Sequence, residues 1–315
     1  MKKYCTGLLC GLMLCLLLAV TGCVRTDKPQ ENRLKIVSTV FAPYDFAREI
    51  AGDRGDCTLL VPPGTEVHSY EPTARDLITV QSCDIFIYVG GESDAWVDKL
   101  LSALDTSRFR TVTLMDCAEL LPEEDVTGDS VKHAAHGEET EYDEHVWTSP
   151  RNAVRIVEKL RKNMAEAAPE DADGFAARAK TYTEKLNALD RSFAEVTATA
   201  KRHMIVMADR FPLLYFVRAY GLDYRAAFPG CASETEPNAA TVARLIDEVK
   251  REQIPVVFYL EMSDGRMADS LCEATGAKKR MFHSCHNVTA AEQQAGETYL
   301  SLMTRNRDVL KEALN

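Results

Sequence analysis

The sequence predicts an α/β fold of two lobes, each a parallel β-sheet flanked by helices, joined by one long connecting helix. Three observations predict it. From residue 34 onward, short apolar, β-branched runs alternate with stretches of helical spacing, the signature of a parallel sheet. A stretch rich in Ala, Glu, Lys and Arg, with almost no breaker, runs from Ala172 to Ala200. The alternation then restarts at Met204, giving a second half organised like the first without a clear sequence repeat. A chain of 315 residues, 46% apolar and 27% charged, has ample length for a core, and its mixed composition excludes disorder or a coiled coil. The 48 acidic residues outnumber the 37 basic ones, for a net charge of −11, which disfavours nucleic acid as a partner.

The chain opens on Lys2 and Lys3, followed by an apolar run from Leu8 to Val20. That run is too short for a stable membrane span and fits a signal peptide. Small residues precede Cys23 in Val20-Thr21-Gly22-Cys23, as at a bacterial lipoprotein processing site. Residues 1–22 are therefore expected to be a signal peptide and 23–32 a tether lipidated on Cys23. The alternative is an ordinary cleaved signal with a chance cysteine. Cys5, Cys10 and Cys15 leave with the leader, whereas Cys57, Cys83, Cys117, Cys231, Cys272 and Cys285 remain where disulfides are allowed.

In the first lobe, 33–150, strands are expected at Leu34–Val40, Cys57–Val61, Asp84–Val89 and Thr111–Met115. Pro62-Pro63-Gly64 stops the second strand and Gly90-Gly91 the third. Tyr44–Ala51, Thr73–Ser82 and Ala95–Leu104 have helical spacing, and the acidic stretch 122–144 reads as a loop. The connection, 151–200, is helical at Ala153–Ala167 and Ala172–Ala200. The second lobe, 201–315, has strands at Met204–Met207, Val256–Leu260 and Arg280–His283. Its helices are Leu213–Tyr220, Pro237–Arg251 with proline at the first turn, Arg266–Thr275 and Ala290–Leu314.

Of the seven histidines, His68 follows the second strand, His145 follows the acidic loop, and His283 ends a strand of the second lobe, with His286 three residues on. Ligands of parallel sheets gather beyond the carboxyl ends of strands. Imidazoles from separate segments suit a zinc or late-transition-metal site built between two lobes. The alternative is a set of scattered, hydrogen-bonded histidines.

Val61-Pro-Pro-Gly-Thr-Glu-Val-His68-Ser-Tyr-Glu-Pro72 resembles the first histidine motif of the metal-specific substrate-binding lipoproteins of ABC importers, the zinc and manganese type. Asp143-Glu-His145-Val-Trp-Thr-Ser-Pro150 resembles their second. Glu234-Thr-Glu236-Pro237 and Gly276-Ala277 fit the second lobe of that family, and the resemblance spans about residues 34 to 312. It implies two lobes with a metal in the cleft between them, and His68 and His145 as ligands from the first lobe.

The second lobe departs from the family. Aligning on Phe211 puts Ala208, which cannot bind metal, in a ligand slot, with Asp209 the nearest carboxylate. Asp209 is either a ligand or a group engaged by Arg210 or a helix end. Counting from Gly276 to the family's last acidic ligand reaches His283. The expected shell is His68, His145 and His283, completed by Asp209 or water. Three imidazoles and at most one carboxylate favour zinc over manganese. His286 is a substitute ligand or a supporting residue. Glu261 is expected to orient an imidazole, Glu71 to cap or bond backbone, and Trp147 to wall the site or simply fill core. Cys231 and Cys285 flank the expected second-lobe site, where a disulfide between them would hold the His283 loop. His133 and His136 form either a weak metal-scavenging loop, as in related zinc binders, or part of a solvated acidic loop.

The expected function is capture of Zn²⁺ by a monomeric lipoprotein outside a bacterial cell membrane, with delivery to an ABC permease and no catalysis. A manganese or iron receptor of the same fold is the first rival. A zinc hydrolase with Glu144 or Glu261 as base is the enzyme rival, but the chain has no His-Glu-x-x-His motif. An adhesin using the same surface is left open.

Overall fold

A computed structural model describes residues 33–91, 94–123, 141–230 and 239–315. The first sheet holds β1 (Leu34–Ser38), β2 (Gly55–Leu59), β3 (Ile85–Tyr88) and β4 (Arg110–Thr113) in the order β2-β1-β3-β4, all parallel. Helices α1 (Phe41–Ala51), α2 (Ala74–Gln81) and α3 (Ala95–Ser102) connect them. Then α4 (Pro150–Ala167) and the 27-residue α5 (Ala172–Ala198) lead to the second lobe. At 1.5 Å per residue α5 is about 40 Å long.

The second sheet repeats the topology. Strands β5 (Met204–Arg210), β6 (Asp223–Phe228), β7 (Val256–Tyr259) and β8 (Lys278–Met281) lie in the order β6-β5-β7-β8, again all parallel. Helices α6 (Leu214–Tyr220), α7 (Ala239–Arg251 as described) and α8 (Arg266–Thr275) connect them, and α9 (Ala290–Ala295) and α10 (Tyr299–Leu314) close the chain. β6, DYRAAF, is absent from the sequence reading, because an edge strand with a charged, exposed start shows neither alternation nor a β-branched run. The expected last helix is broken at Gly296, which has φ +72° and ends α9.

One apolar core runs through both lobes. It includes Phe46 of α1, Tyr182, Leu186 and Phe193 of α5, Phe216 of α6, Phe282 after β8 and Tyr299 of α10. Phe193 and Phe282 both pack edge-on against Phe216, with ring centres 4.9 and 5.3 Å away. Each sheet has a separate small core on its other face, around Phe86 in the first lobe and Val257 in the second. A shared core favours a fixed cleft over a wide hinge.

The segment after β8 stitches the lobes together. The N–H groups of Phe41 and Ala42, at the start of α1, donate to the carbonyls of His286 and Cys285 at 2.8 and 3.2 Å. They cap a helix start whose Val40 has no capping side chain. Asn287 Nδ2 donates to the carbonyls of Pro62 and Thr65, each at 2.9 Å, and Gly64 N–H donates to Val288 O at 2.7 Å.

Candidate metal site

The carboxyl ends of the strands from both lobes face one cleft. Its lining includes His68, His145, Asp209, Glu261 and His286, and it is a partly open cavity of about 30 Å³. That is room for an ion with little besides. His68 comes from the loop after β2 and His145 from the turn before α4, while His286 arrives from the second lobe. Each ring offers a ligand nitrogen, and these three atoms lie within 4.8 Å of one another. Ring centres are 6.0 Å apart for His68 and His145, 5.1 Å for His68 and His286, and 5.3 Å for His145 and His286.

The same local device positions all three. The residue two before each histidine accepts a hydrogen bond from the histidine's own backbone N–H. Glu66 Oε1 does so for His68 at 3.4 Å, Asp143 Oδ1 for His145 at 2.8 Å, and Ser284 Oγ for His286 at 3.1 Å. In the two first-lobe cases the carboxylate also takes the ring. His68 Nδ1 is 2.9 Å from Glu66 Oε1 and His145 Nδ1 is 3.3 Å from Asp143 Oδ1. Nδ1–H donating to a carboxylate leaves Nε2 with a bare lone pair, the form a metal requires. The Nε2 atoms of His68, His145 and His286 are all buried without a hydrogen-bond partner. Buried polar atoms are normally paired, so three converging on one small space are the signature of a cation site.

Electrostatics separate the rings. Burial opposes charge on His145, but Asp143, with help from Glu144 and Glu123, outweighs it and raises the pKa. Burial first, then His68, His145 and Arg210, holds the pKa of His286 well below the ordinary value, so this ring stays neutral. Glu66 pays desolvation, which the hydrogen bond from His68 and the guanidinium of Arg210 outweigh, bringing its pKa to about 2. Arg210 Nη2 is 2.5 Å from Glu66 Oε2.

His283 does not join the cluster. β8 ends at Met281, so His283 lies in a buried turn beyond the strand. Its backbone is pinned on both sides by the Asn306 amide, at 2.8 and 2.7 Å. Its Nδ1 accepts the Cys285 N–H at 2.9 Å, and its Nε2 faces Glu292 Oε2 at 3.6 Å. Both ring nitrogens are thus turned away from the other histidines. Cys285 then adopts φ +59°, a left-handed turn rare outside glycine, and this turn carries His286 into the cleft.

Asp209 lines the cleft, but its carboxylate accepts the backbone N–H groups of Arg210 at 2.9 Å and Leu260 at 3.3 Å. It is held by backbone and lies outside the histidine group. Glu261 accepts from Ser284 N–H and Oγ, at 2.9 and 2.5 Å, so it braces the turn ahead of His286 instead of orienting an imidazole directly. Trp147 is fully buried. Its ring lies 5.4 Å from His145 and 5.0 Å from His286, and its Nε1–H donates to Ser284 O at 2.9 Å. Glu71 is exposed and does not line the cleft. The Cys285 side chain is fully buried and packed in the shared core, and the disulfide expected between it and Cys231 falls on a residue outside the described ones. Cys231, Cys23, His133 and His136 lie outside the described residues.

Residues 36–313 match the model of the family described as zinc-uptake complex component A, periplasmic. The chain belongs to that family. It is 33% identical over 287 residues to the zinc-binding lipoprotein AdcA of Streptococcus pneumoniae, an alignment covering 91% of this chain and 57% of AdcA. The chain thus spans little more than half the length of that curated relative. It is 27% identical over 284 residues to the high-affinity zinc uptake system protein ZnuA of Bacillus subtilis, covering 90% of this chain and 88% of that protein. The Zn(II)-bound ZnuA-like domain of S. pneumoniae AdcA superposes with a TM-score of 0.74 at 32% identity, covering 90% of this chain and 99% of the domain.

Proposed function

We propose that this chain is an extracytoplasmic receptor that captures Zn²⁺ in the cleft between its lobes and delivers it to an ABC permease. The observation that carries this reading is the convergence of three buried Nε2 atoms, without hydrogen-bond partners, on a space the size of an ion. His68, His145 and His286 are the proposed ligands. Zinc binds imidazole nitrogen at about 2.0–2.1 Å in a tetrahedron, so its ligand atoms stand about 3.4 Å apart. The group needs to contract by at most about 1.5 Å to reach that geometry. Imidazole suits zinc better than manganese, which prefers oxygen. The names of the zinc-binding relatives agree with this choice.

Lipidation of Cys23 and anchoring at the membrane remain part of the proposal. Among the described residues no helix is long and apolar enough to cross a membrane. One copy of the chain supplies all three imidazoles, so a monomer suffices. Capture and release break no covalent bond, and the hydrolase reading loses one of its two bases, because both oxygens of Glu261 are engaged by Ser284. The test is isothermal titration of the metal-free chain with Zn²⁺. One tightly bound zinc per chain is expected, and heat-silent titration confirmed by absence of zinc after dialysis would overturn the proposal.

A further inference from the structure

His68 and Arg210 belong to different lobes and meet on one carboxylate. Glu66, in the loop after β2, turns Oε1 to His68 Nδ1 at 2.9 Å and Oε2 to Arg210 Nη2 at 2.5 Å. Arg210 is the last residue of β5 and lines the cleft. A chain of contacts therefore runs from the second sheet to the ring of a first-lobe ligand.

The strand is built to aim Arg210. Along β5, Met207 stands against Ala226 of β6, but Arg210 stands against Phe228, so Ala208 and Asp209 face a single residue of the partner strand. A bulge of this kind bends the strand and re-aims a side chain, and bulges gather beside functional sites. Asp209 ties this one down. Its Oδ1 accepts the Arg210 N–H at 2.9 Å and its Oδ2 accepts the N–H of Leu260, just beyond β7, at 3.3 Å. The carboxylate that does not reach the histidines thus fixes the strand end that carries Arg210.

The chemistry at stake is the tautomer of His68. Its Nδ1 must carry the proton if Nε2 is to keep a lone pair for a metal, and a carboxylate acceptor beside Nδ1 selects that form. A loop glutamate can rotate. With Oε2 held by the guanidinium, Oε1 is left facing the ring. We propose that Arg210 is a positioning residue for zinc capture, holding His68 through Glu66 in the Nδ1–H tautomer with Nε2 open to the ion. This rests on the zinc-receptor reading above. The competing role is plain repulsion between a guanidinium and a dication, and the two differ in sign. Removing a merely repulsive Arg210 tightens zinc, whereas removing a positioning Arg210 weakens it.

The experiment records histidine ¹⁵N spectra of the metal-free chain and of Arg210→Gln at pH 8, with zinc competition titrations of both, of Glu66→Gln and of the double variant. In the unaltered chain His68 should show one protonated and one bare nitrogen, with the proton on Nδ1. In Arg210→Gln the two resonances should move toward each other as the tautomers exchange. Zinc should bind that variant about 10-fold more weakly, the lower end of the loss typical of partners outside the coordination shell. In the Glu66→Gln background, Arg210→Gln should weaken zinc no further. A proton on Nε2 of His68 in the unaltered chain overturns the proposal whether or not the variants fold. So does an Arg210→Gln protein that keeps the His68 spectrum, or binds zinc equally or more tightly, and so does a second, equal loss in the double variant. If the unaltered chain binds no zinc, the receptor reading fails separately, and the metal-free spectra still decide whether Arg210 sets the His68 tautomer.

Discussion

Replacing His286 with alanine separates two ligand sets that lie three residues apart in sequence. The side chain is fully committed to the cleft. Its Nε2 has no hydrogen-bond partner, and the bonds that hold this residue in place run through its backbone, whose N–H donates to Ser284 Oγ and whose carbonyl accepts from Phe41 N–H. Alanine keeps both. The metal-free fold should therefore lose only packing against Trp147 and His68, about 1–2 kcal/mol. Zinc binding should suffer far more. A closed zinc site is worth about 10–16 kcal/mol, or about 3–4 kcal/mol for each of four ligands. At about 1.4 kcal/mol per decade, His286→Ala should weaken zinc by about 100- to 1,000-fold. His283→Ala is the matched control. It strips the acceptor from the buried Cys285 N–H, which costs about 1–3 kcal/mol of fold stability, while the three clustered rings remain. The assay is competition against a chromophoric chelator, with urea unfolding of the metal-free proteins alongside. Unchanged zinc affinity in His286→Ala, or zinc lost from a folded His283→Ala, would refute the assignment.

Five further outcomes are expected. Zinc affinity should fall as pH drops from 8 to 5, beginning above the ordinary histidine range because the acidic neighbours of His145 outweigh its burial; equal dissociation constants across that range would argue against histidine ligation. In metal-free unfolding, His286 has the opposite sign. Its folded pKa lies far below 6.5, so below about that pH the unfolded chain gains a proton the folded chain refuses and stability declines. His145, with its raised folded pKa, contributes stability at low pH that is lost as pH rises through that value, so His286→Ala should flatten the acid-side decline in urea midpoints and Asp143→Asn should not. Glu66→Gln frees the His68 ring and Arg210, and should weaken zinc about 10- to 100-fold in the same competition assay. Trp147 touches two of the rings, so zinc should change the tryptophan emission of the chain, and Trp147→Phe should abolish that change although Trp96 remains. The Cys285 thiol, raised well above its ordinary pKa by burial, should resist alkylation in the folded protein and react on unfolding.

Much of the fold was legible because parallel strands buried on both faces read as continuous apolar runs, as in Ile85–Tyr88 and Val256–Tyr259. The long α5 was legible from composition. β6 was not, because its pairing to β5 is a tertiary fact carried by backbone. His68 and His145 stood in motifs, each with a carboxylate two residues earlier. The same spacing, Ser284 to His286, marks the third clustered ring, whereas His283 has Met281 at that place. Attention to the residue two before each histidine would have favoured His286. Counting along the chain favoured His283 because it ignores the left-handed turn at Cys285, which reverses which ring faces the cleft. Asp209 illustrates a complementary point. A carboxylate nearest a ligand slot was drawn into backbone hydrogen bonds that no local spacing reveals.

The most direct test strips the chain with chelator, offers Zn²⁺, Mn²⁺, Fe²⁺, Co²⁺ and Ni²⁺ in equal amounts, and counts bound metal by mass spectrometry. A receptor built on His68, His145 and His286 should retain one zinc per chain and lose it in His286→Ala. Manganese in place of zinc, or zinc retained undiminished without His286, would contradict it.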